Sequence, residues 1–335
     1  MSRALRSDAI VRRPVPGSAP AWRSALVGRI SLWSFTLLAI AFTALLAAGA
    51  TWLALGDGAP DRLPRAIRAL FGLVFVAGGV LFVNLMVCFR FLVPDRDFVE
   101  GDLDGARVHV ALTAFNDEVA IAEAVREFSR VPGVHRLLVV DNDSSDGTAA
   151  AARAAGADEV VIERERGYGS CCMRALAEGA RDADVVVLCE GDCTFSAGDL
   201  RKLLAYLENS DLVLGTRATQ ELRARGTQMD WLINPANQFV AKLVQLRFWG
   251  TRLTDVGCTF RAIRVDALRR LAPHLRVRGN HFSPHMFIEA LRLDMRVIEV
   301  PVTFRRRVGE SKGVGSNKLK AARVALRMLG LIYRA

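Results

Sequence analysis

The sequence predicts a mostly parallel α/β domain preceded by two membrane-spanning helices. Two uncharged apolar runs lie in the first ninety residues of the chain. After Pro94, short apolar runs alternate with stretches of helical period. Polar residues gather just past the ends of those short runs, where a parallel sheet binds its ligands.

The first run is Ser31–Leu55, SLWSFTLLAIAFTALLAAGATWLAL. At 1.5 Å per residue it reaches roughly 37 Å, against about 30 Å of hydrocarbon. Trp33 and Trp52 near its ends suit interfacial anchors. The second run is Ala69–Phe89, with Asn84 its one strongly polar side chain. Gly72 and the Ala77-Gly78-Gly79 run let a partner helix approach, which offers a homo-oligomer contact. Both runs are too long and uniform for buried core helices, and the first is too long for a signal-peptide core. Arg3, Arg6, Arg12, Arg13, Arg23 and Arg29 precede the first run; Arg90 and Arg96 follow the second. The positive-inside rule therefore places both ends of the pair in the cytoplasm. The connecting loop is expected over Gly56–Arg68. The tail with Pro14, Pro16 and Pro20 is expected to be disordered.

Beyond Pro94, Arg107–Leu112, Arg136–Val140, Glu159–Glu163, Val185–Cys189 and Asp211–Gly215 read as strands. Between the first two, Asn116–Arg130 has the helical period with acids in its first turn. Ser144–Gly156 reads as the next helix. This alternation means βαβ units. TAFNDE, DNDSSDGT, EGD and GTR then follow the first, second, fourth and fifth strands. GxGxxG and GxxxxGK[ST] do not occur. The glycine-rich turn Arg166–Ser170, RGYGS, opens a helix and has room for a phosphate. Two carboxylates, Glu190 and Asp192, flank Gly191 directly after an apolar strand. That placement is costly unless a cation sits between them.

The chain of 335 residues is 51% apolar and carries a net charge of +10. Such a charge suits nucleic acid, an anionic membrane surface or a phosphorylated substrate. Only three tyrosines occur, and the aromatics favour the spans, so no nucleic-acid partner is expected. The six cysteines form no CxxC pair and read as reduced thiols.

LTAFNDE, VVDNDSSDGT, EGD, LGTR, TDVGCTFRA and RRRVGESKG together resemble family 2 glycosyltransferases of GT-A fold (Rossmann-like, mostly parallel). The likeness runs from about Val108 to Gly313 and is nearest to polyprenyl-phosphate sugar synthases. It implies transfer of a single sugar, with inversion, from a GDP- or UDP-linked donor to polyprenyl phosphate at the cytoplasmic membrane face. A lipid-linked glycan or a growing polysaccharide is the alternative acceptor. However, the QxxRW motif of processive synthases is absent, and no span follows Arg305. The domains implied are an N-tail over 1–30, two spans over 31–93, a linker over 94–105, the catalytic domain over 106–313 and an amphipathic interfacial helix over 314–335.

The resemblance also assigns residues. Glu190 and Asp192 stand where such enzymes hold Mg²⁺ or Mn²⁺ on the donor diphosphate, Glu190 replacing the commoner Asp. Thr113, Phe115, Asn116, Glu118, Asp141, Asp143, Arg166, Gly169 and Gly191 fall on the nucleotide-sugar side, although Asp146 and Asp143 also suit helix starting. Arg217 and Arg261 are expected to face phosphates. Asp255 acts as a base, or orients Arg261 or the sugar; a phosphate acceptor, already an anion, needs no base. Arg307, Ser311 and Lys312 belong to a phosphate-touching lid. His281 and His285 flank FSP without an evident acid partner and read as structural or substrate-shaping.

Overall fold

The structure, a computed structural model, describes residues 21–55, 58, 62–91, 103, 105–227, 233–248, 251–309 and 318–335. Residues 1–20 of the expected disordered tail, most of the 94–105 linker, Ser311 and Lys312 lie outside the described residues; residues 21–30, expected in that tail, are helical instead, because the apolar run's helix extends back to Ala21. The chain forms two compact units, one holding the two apolar helices and one holding the sheet.

In the first unit, α1 spans Ala21–Leu55 and α2 spans Leu63–Phe91. Both are long and apolar enough to cross a membrane, and only 17% and 6% of their most apolar windows are buried, far too little for core helices. Four of their polar side chains close on their own backbone, as suits a bilayer. The hydroxyls of Thr36, Thr43 and Thr51 each donate to the carbonyl four residues back at 2.8 Å. Asn84 Nδ2 donates to the Val80 carbonyl at 2.9 Å. The expected loop over Gly56–Arg68 is shorter than its charges suggest. Pro64 sits in the first turn of α2, where its missing N–H costs nothing, so Leu63–Arg68 is helical.

The second unit opens with β1 (Val108–Ala114), α3 (Glu118–Ser129), β2 (Val134–Asp141) and α4 (Thr148–Ala154). Next come β3 (Glu159–Ile162), α5 (Tyr168–Gly179), β4 (Val185–Glu190), α6 (Leu200–Leu207) and β5 (Leu212–Thr216). The chain continues through α7 (Ile233–Arg247), β6 (Arg261–Arg264), α8 (Val265–Leu271), α9 (Phe282–Arg292), β7 (Val297–Pro301) and α10 (Lys318–Arg334). The strands form one sheet in the order β3-β2-β1-β4-β6-β5-β7. Only β6 runs antiparallel to its neighbours. Every residue of β1 is buried, which a continuous apolar run covered on both faces demands.

Sequence patterning identifies five of the strands. It passes over β6 because RAIR carries two arginines in four residues. Backbone pairing with β4 and β5, one on each side, holds that segment extended whatever its propensity. β7 lies at the sheet edge, paired with β5 alone.

An aromatic chain fills the core beneath the crevice. Phe128 of α3 meets Phe260 edge-on at 5.9 Å between centroids, and Phe195 lies 5.6 Å from Phe260 and 5.5 Å from Phe304. Phe260 is fully buried. Phe260→Ala is expected to cost about 3–5 kcal/mol, measured as a lowered denaturation midpoint of the purified protein.

Candidate active site

Strand register brings the polar loops to one edge. Thr113 of β1 pairs with Glu190 of β4, and Ala114 with Asp141 of β2. The loops that leave β1, β2 and β4 each contain a non-glycine residue with left-handed backbone: Asn116 (φ 51°), Asp143 (φ 57°) and Cys193 (φ 62°). Such backbone costs energy and gathers where ligands are held.

Glu190 ends β4, and Asp192 is almost wholly buried two residues on. Thr194 fixes the Asp192 carboxylate, donating to Oδ1 from its backbone N at 3.0 Å and its hydroxyl at 2.6 Å. Gly191 between them is required for packing. A Cβ there would meet Ile121 Cδ1 at 2.4 Å, and its N–H donates to the Thr113 carbonyl at 2.9 Å. Burial, and then the Asp192 carboxylate, push Glu190 up to about 8, against the pull of Arg307 and Arg217. Such a shift marks a carboxyl whose charge calls for a cation nearby.

Arg217, at the end of β5, makes a two-pronged ion pair with Asp255. Nε donates to Oδ2 at 2.7 Å and Nη2 to Oδ1 at 2.9 Å. Asp255 also accepts from the backbone N of Arg217 at 3.0 Å, Asn237 Nδ2 at 2.8 Å and the Gly257 N at 2.8 Å. Burial alone would raise Asp255, but Arg217 and these donors hold it well below the usual carboxylate range. Glu299 of β7 accepts from the backbone N of Thr254 and Asp255 and so sets the segment's height. The Arg217 guanidinium also lies over the Phe304 ring at 5.3 Å.

Two expectations change here. Asp255 orients Arg217 rather than Arg261. A carboxyl with this many donors is a weak base, so the base reading loses ground to the orienting one. Arg261, expected to face a phosphate, is buried with its fork on protein carbonyls. Nε and Nη2 donate to Cys258 O at 2.9 and 2.7 Å, and Nη1 donates to Ser283 O at 2.7 Å. It ties β6 to α9.

Arg307 reaches the crevice from the segment after β7. Its Nη1 lies 3.1 Å from Asp192 Oδ2, and Nη2 donates to Asp117 Oδ1 at 2.7 Å. Sequence reasoning missed Asp117. Its signal was its place in TAFNDE, but Asn116 and Glu118 on either side were the residues chosen.

The expected nucleoside side is a network of loop bonds. Asn116 Oδ1 accepts from the Ser145 N at 2.8 Å, and Glu118 Oε2 from the Gly147 N at 3.1 Å. Asp141, raised by burial, accepts from the Ser144 hydroxyl and backbone N. Asp146 accepts from the Thr148 N at 3.1 Å, the helix-starting role open to it. Thr113 is buried and Phe115 half-exposed, with the Arg166 guanidinium 6.0 Å from the Phe115 ring centroid. Arg166 also pairs loosely with Asp143 at 3.4 Å on the surface. Gly169 does not leave room for a phosphate. Its N–H donates to Arg278 O at 2.8 Å, and a Cβ would strike Val277 O at 2.1 Å. His285 does have an acid neighbour, Glu289, at 3.9 Å, and its Nε2 lies 3.1 Å from the Arg276 N. That contact fastens α9 to the preceding turn.

Five cysteines are described, all buried and free. Burial pushes Cys172 and Cys258 up to about 12, so these thiols stay protonated.

Among the described residues no three His, Cys, Asp or Glu side chains cluster as a closed metal cage. Glu190 and Asp192 fit a different arrangement, in which Mg²⁺ or Mn²⁺ takes one or two carboxylates and completes its shell with phosphate and water. The stand-in is visible: a guanidinium occupies Asp192 Oδ2.

A mostly parallel sheet with one inserted antiparallel strand, and acids at the end of β4, define a GT-A glycosyltransferase fold. A solved structure of glucosyl-3-phosphoglycerate synthase from Mycobacterium tuberculosis superposes with a TM-score of 0.54 at 20% identity, covering 72% of this chain and 86% of that one. The sequence profile "Glycosyl transferase family 2" matches residues 109–272. An undecaprenyl-phosphate mannosyltransferase of Micrococcus luteus is 32% identical over 192 residues, 53% of this chain and 76% of that protein. An uncharacterised glycosyltransferase of Mycobacterium tuberculosis is 29% identical over 66% of this chain and 95% of its own length. The chain belongs to glycosyltransferase family 2.

Two outcomes follow from the charges. Asp255→Asn strands the Arg217 cation and should cost about 3–5 kcal/mol of stability. The depressed Asp255 is ionised at any pH above the ordinary carboxylate value of about 4. Its stabilising pair is therefore complete there and is lost only as pH falls through its depressed value. The pH–rate profile of Asp255→Asn above pH 4 should keep the wild-type limbs; loss of an acid limb would restore the base role. Glu190 has the opposite sign. Its raised value means the folded state keeps a proton that the unfolded chain releases. Metal-free stability should therefore fall as pH rises from about 4.5 to 8. Glu190→Gln should flatten that slope in denaturation midpoints recorded in EDTA.

Proposed function

We propose that this glycosyltransferase moves one sugar, with inversion, from a GDP- or UDP-linked donor to polyprenyl phosphate at the cytoplasmic face of a membrane. The observation that carries the reading is the acid pair of half-buried Glu190 and buried Asp192, set at the carboxyl end of β4 under the influence of Arg217 and Arg307. Glu190 and Asp192 would hold the divalent cation, which when bound offsets charge on the departing diphosphate. Arg217, oriented by Asp255, and Arg307 supply forked donors for phosphate oxygens. The attacking atom is a phosphate oxygen of the acceptor, an anion already, so the site needs no general base. The new bond joins that oxygen to the anomeric carbon as the carbon–diphosphate bond breaks on the opposite side.

The membrane setting and the lipid acceptor draw on three supports. α1 and α2 are apolar enough to span. The arginines before the apolar run of α1 favour a cytoplasmic catalytic domain. The relative from Micrococcus luteus is named for transfer to undecaprenyl phosphate. The seating of α10 agrees: Ile332 is fully buried, whereas Leu326 is 68% exposed between exposed Arg323 and Arg327. That face suits an interfacial position. The divalent cation draws support from the glucosyl-3-phosphoglycerate synthase structure, which holds Mn²⁺ and UDP-glucose. The acceptor face of the site, the domain boundaries read from the sequence and the lid residues Ser311 and Lys312 belong to the same proposal.

The test is sugar transfer in lipid nanodiscs containing polyprenyl phosphate, with Mn²⁺ or Mg²⁺ and labelled GDP- and UDP-sugars in turn. Label should enter the organic phase from one donor, and EDTA should abolish transfer. Asp192→Ala should lower the rate about 10²-fold or more, the several kcal/mol a catalytic metal supplies. Label reaching a glycan but not the lipid would move the acceptor to the alternative class. No binding or turnover of any donor would sink the reading.

A further inference from the structure

The segment after β7 is stitched along the carboxylate loop before it reaches the crevice. The Val302 N–H donates to Thr216 O at 3.1 Å, Phe304 N–H to Leu222 O at 2.8 Å and Arg305 N–H to Thr194 O at 2.7 Å. Val308 N–H donates to Asp192 O at 3.3 Å. The Arg305 fork adds Glu127 Oε2 at 2.9 Å and Ser196 Oγ at 2.8 Å. Arg307 is thereby delivered onto two carboxylates, Asp192 at 3.1 Å and Asp117 at 2.7 Å. Its side chain is 19% exposed, against 2% for Asp192 and 8% for Asp117. Its Nε is buried with no hydrogen-bond partner.

Two features of this contact are informative. The guanidinium holds Asp192 Oδ2, the oxygen that Thr194 leaves open, since Thr194 takes Oδ1. A free divalent cation must therefore displace a fixed positive charge to reach that oxygen, and the two cations repel at this range. The unpartnered Nε is the second feature. It is a forked donor's third arm, buried at a cost, and a phosphate oxygen would satisfy it.

We infer that Arg307 guards the cation site and that Asp117 is the positioning residue that makes the guard reversible. This rests on the nucleotide-sugar reading above. With no nucleotide, Arg307 neutralises Asp192 and keeps divalent cations off it. A nucleoside diphosphate offers the guanidinium a richer anion and brings oxygens that complete a metal shell. Arg307 then releases Asp192 and pivots on Asp117, which keeps it at the edge of the site. Metal and diphosphate consequently bind as a unit, each raising the affinity of the other by the same factor. This keeps the acid pair from holding a cation with no leaving group to neutralise.

The probe is Mn²⁺, followed by loss of the free-ion electron paramagnetic resonance signal, on the full chain in nanodiscs with and without UDP or GDP. Wild type should bind Mn²⁺ at least about 10-fold more tightly with the matching diphosphate than alone. Arg307→Gln should bind Mn²⁺ alone about 10-fold more tightly than wild type and lose most of the coupling. Asp117→Asn should keep weak binding of Mn²⁺ alone but lose coupling, and Asp117→Glu should restore part of it. A role confined to stability would leave the coupling factor unmoved. Wild type binding Mn²⁺ equally well with and without either diphosphate overturns the inference without recourse to any variant. So does an Arg307→Gln variant with unchanged affinity for Mn²⁺ alone. If Mn²⁺ binds with diphosphate and Asp192→Asn abolishes that binding, the nucleotide-sugar reading stands even where the guard fails. If neither diphosphate brings Mn²⁺ to the wild type, both fall.

Discussion

Carboxylates confined to a crevice largely shielded from water need cations, and the site is arranged around that need. Asp117, Asp192 and Asp255 are nearly fully buried, and Glu190 adjoins them. Two arginines answer them. Arg217 closes on Asp255 with both prongs, and Arg307 bridges Asp192 and Asp117. Removing either arginine would leave an uncompensated buried charge, which costs more than an intact pair contributes. The rest of the domain is scaffolding for these two contacts: Arg217 directly follows β5, the loop between α7 and β6 carries Asp255, and the segment beyond β7 delivers Arg307.

The two pairs differ in kind. Asp255 is locked by five donor contacts from Arg217, Asn237 and Gly257, and Glu299 clamps the adjoining backbone. That redundancy suits a fixed strut. Arg307 has two single-prong contacts and an unsatisfied Nε. It is the less committed cation, so exchange at the crevice falls to it. The crevice therefore holds one rigid arginine and one less tightly held.

Much of the fold was legible because its signals are local. An uncharged run longer than the bilayer is visible without knowing any contact, and so is an apolar strand followed by a polar loop. The place of Glu190 and Asp192 at a strand end was legible for that reason. β6 was not, because RAIR becomes a strand only in the slot between β4 and β5. Gly169 looked like a phosphate turn, and nothing in RGYGS reveals that Val277 and Arg278 cross above it. Asp117 was passed over because its partner Arg307 lies 190 residues away.

The sequence by itself determined the class of the molecule: two apolar spans, an alternating α/β domain and acids at a strand end, all set by hydrophobic periodicity and residue chemistry. Only the tertiary structure decided which charge meets which. TDVGCTFRA places Asp255 and Arg261 in one motif, yet Asp255 turns to Arg217 across the sheet and Arg261 turns inward to the carbonyls of Cys258 and Ser283. The physical reason is that an ion pair is chosen by distance, direction and burial in three dimensions. Spacing along the chain sets none of these once strands from distant segments lie side by side.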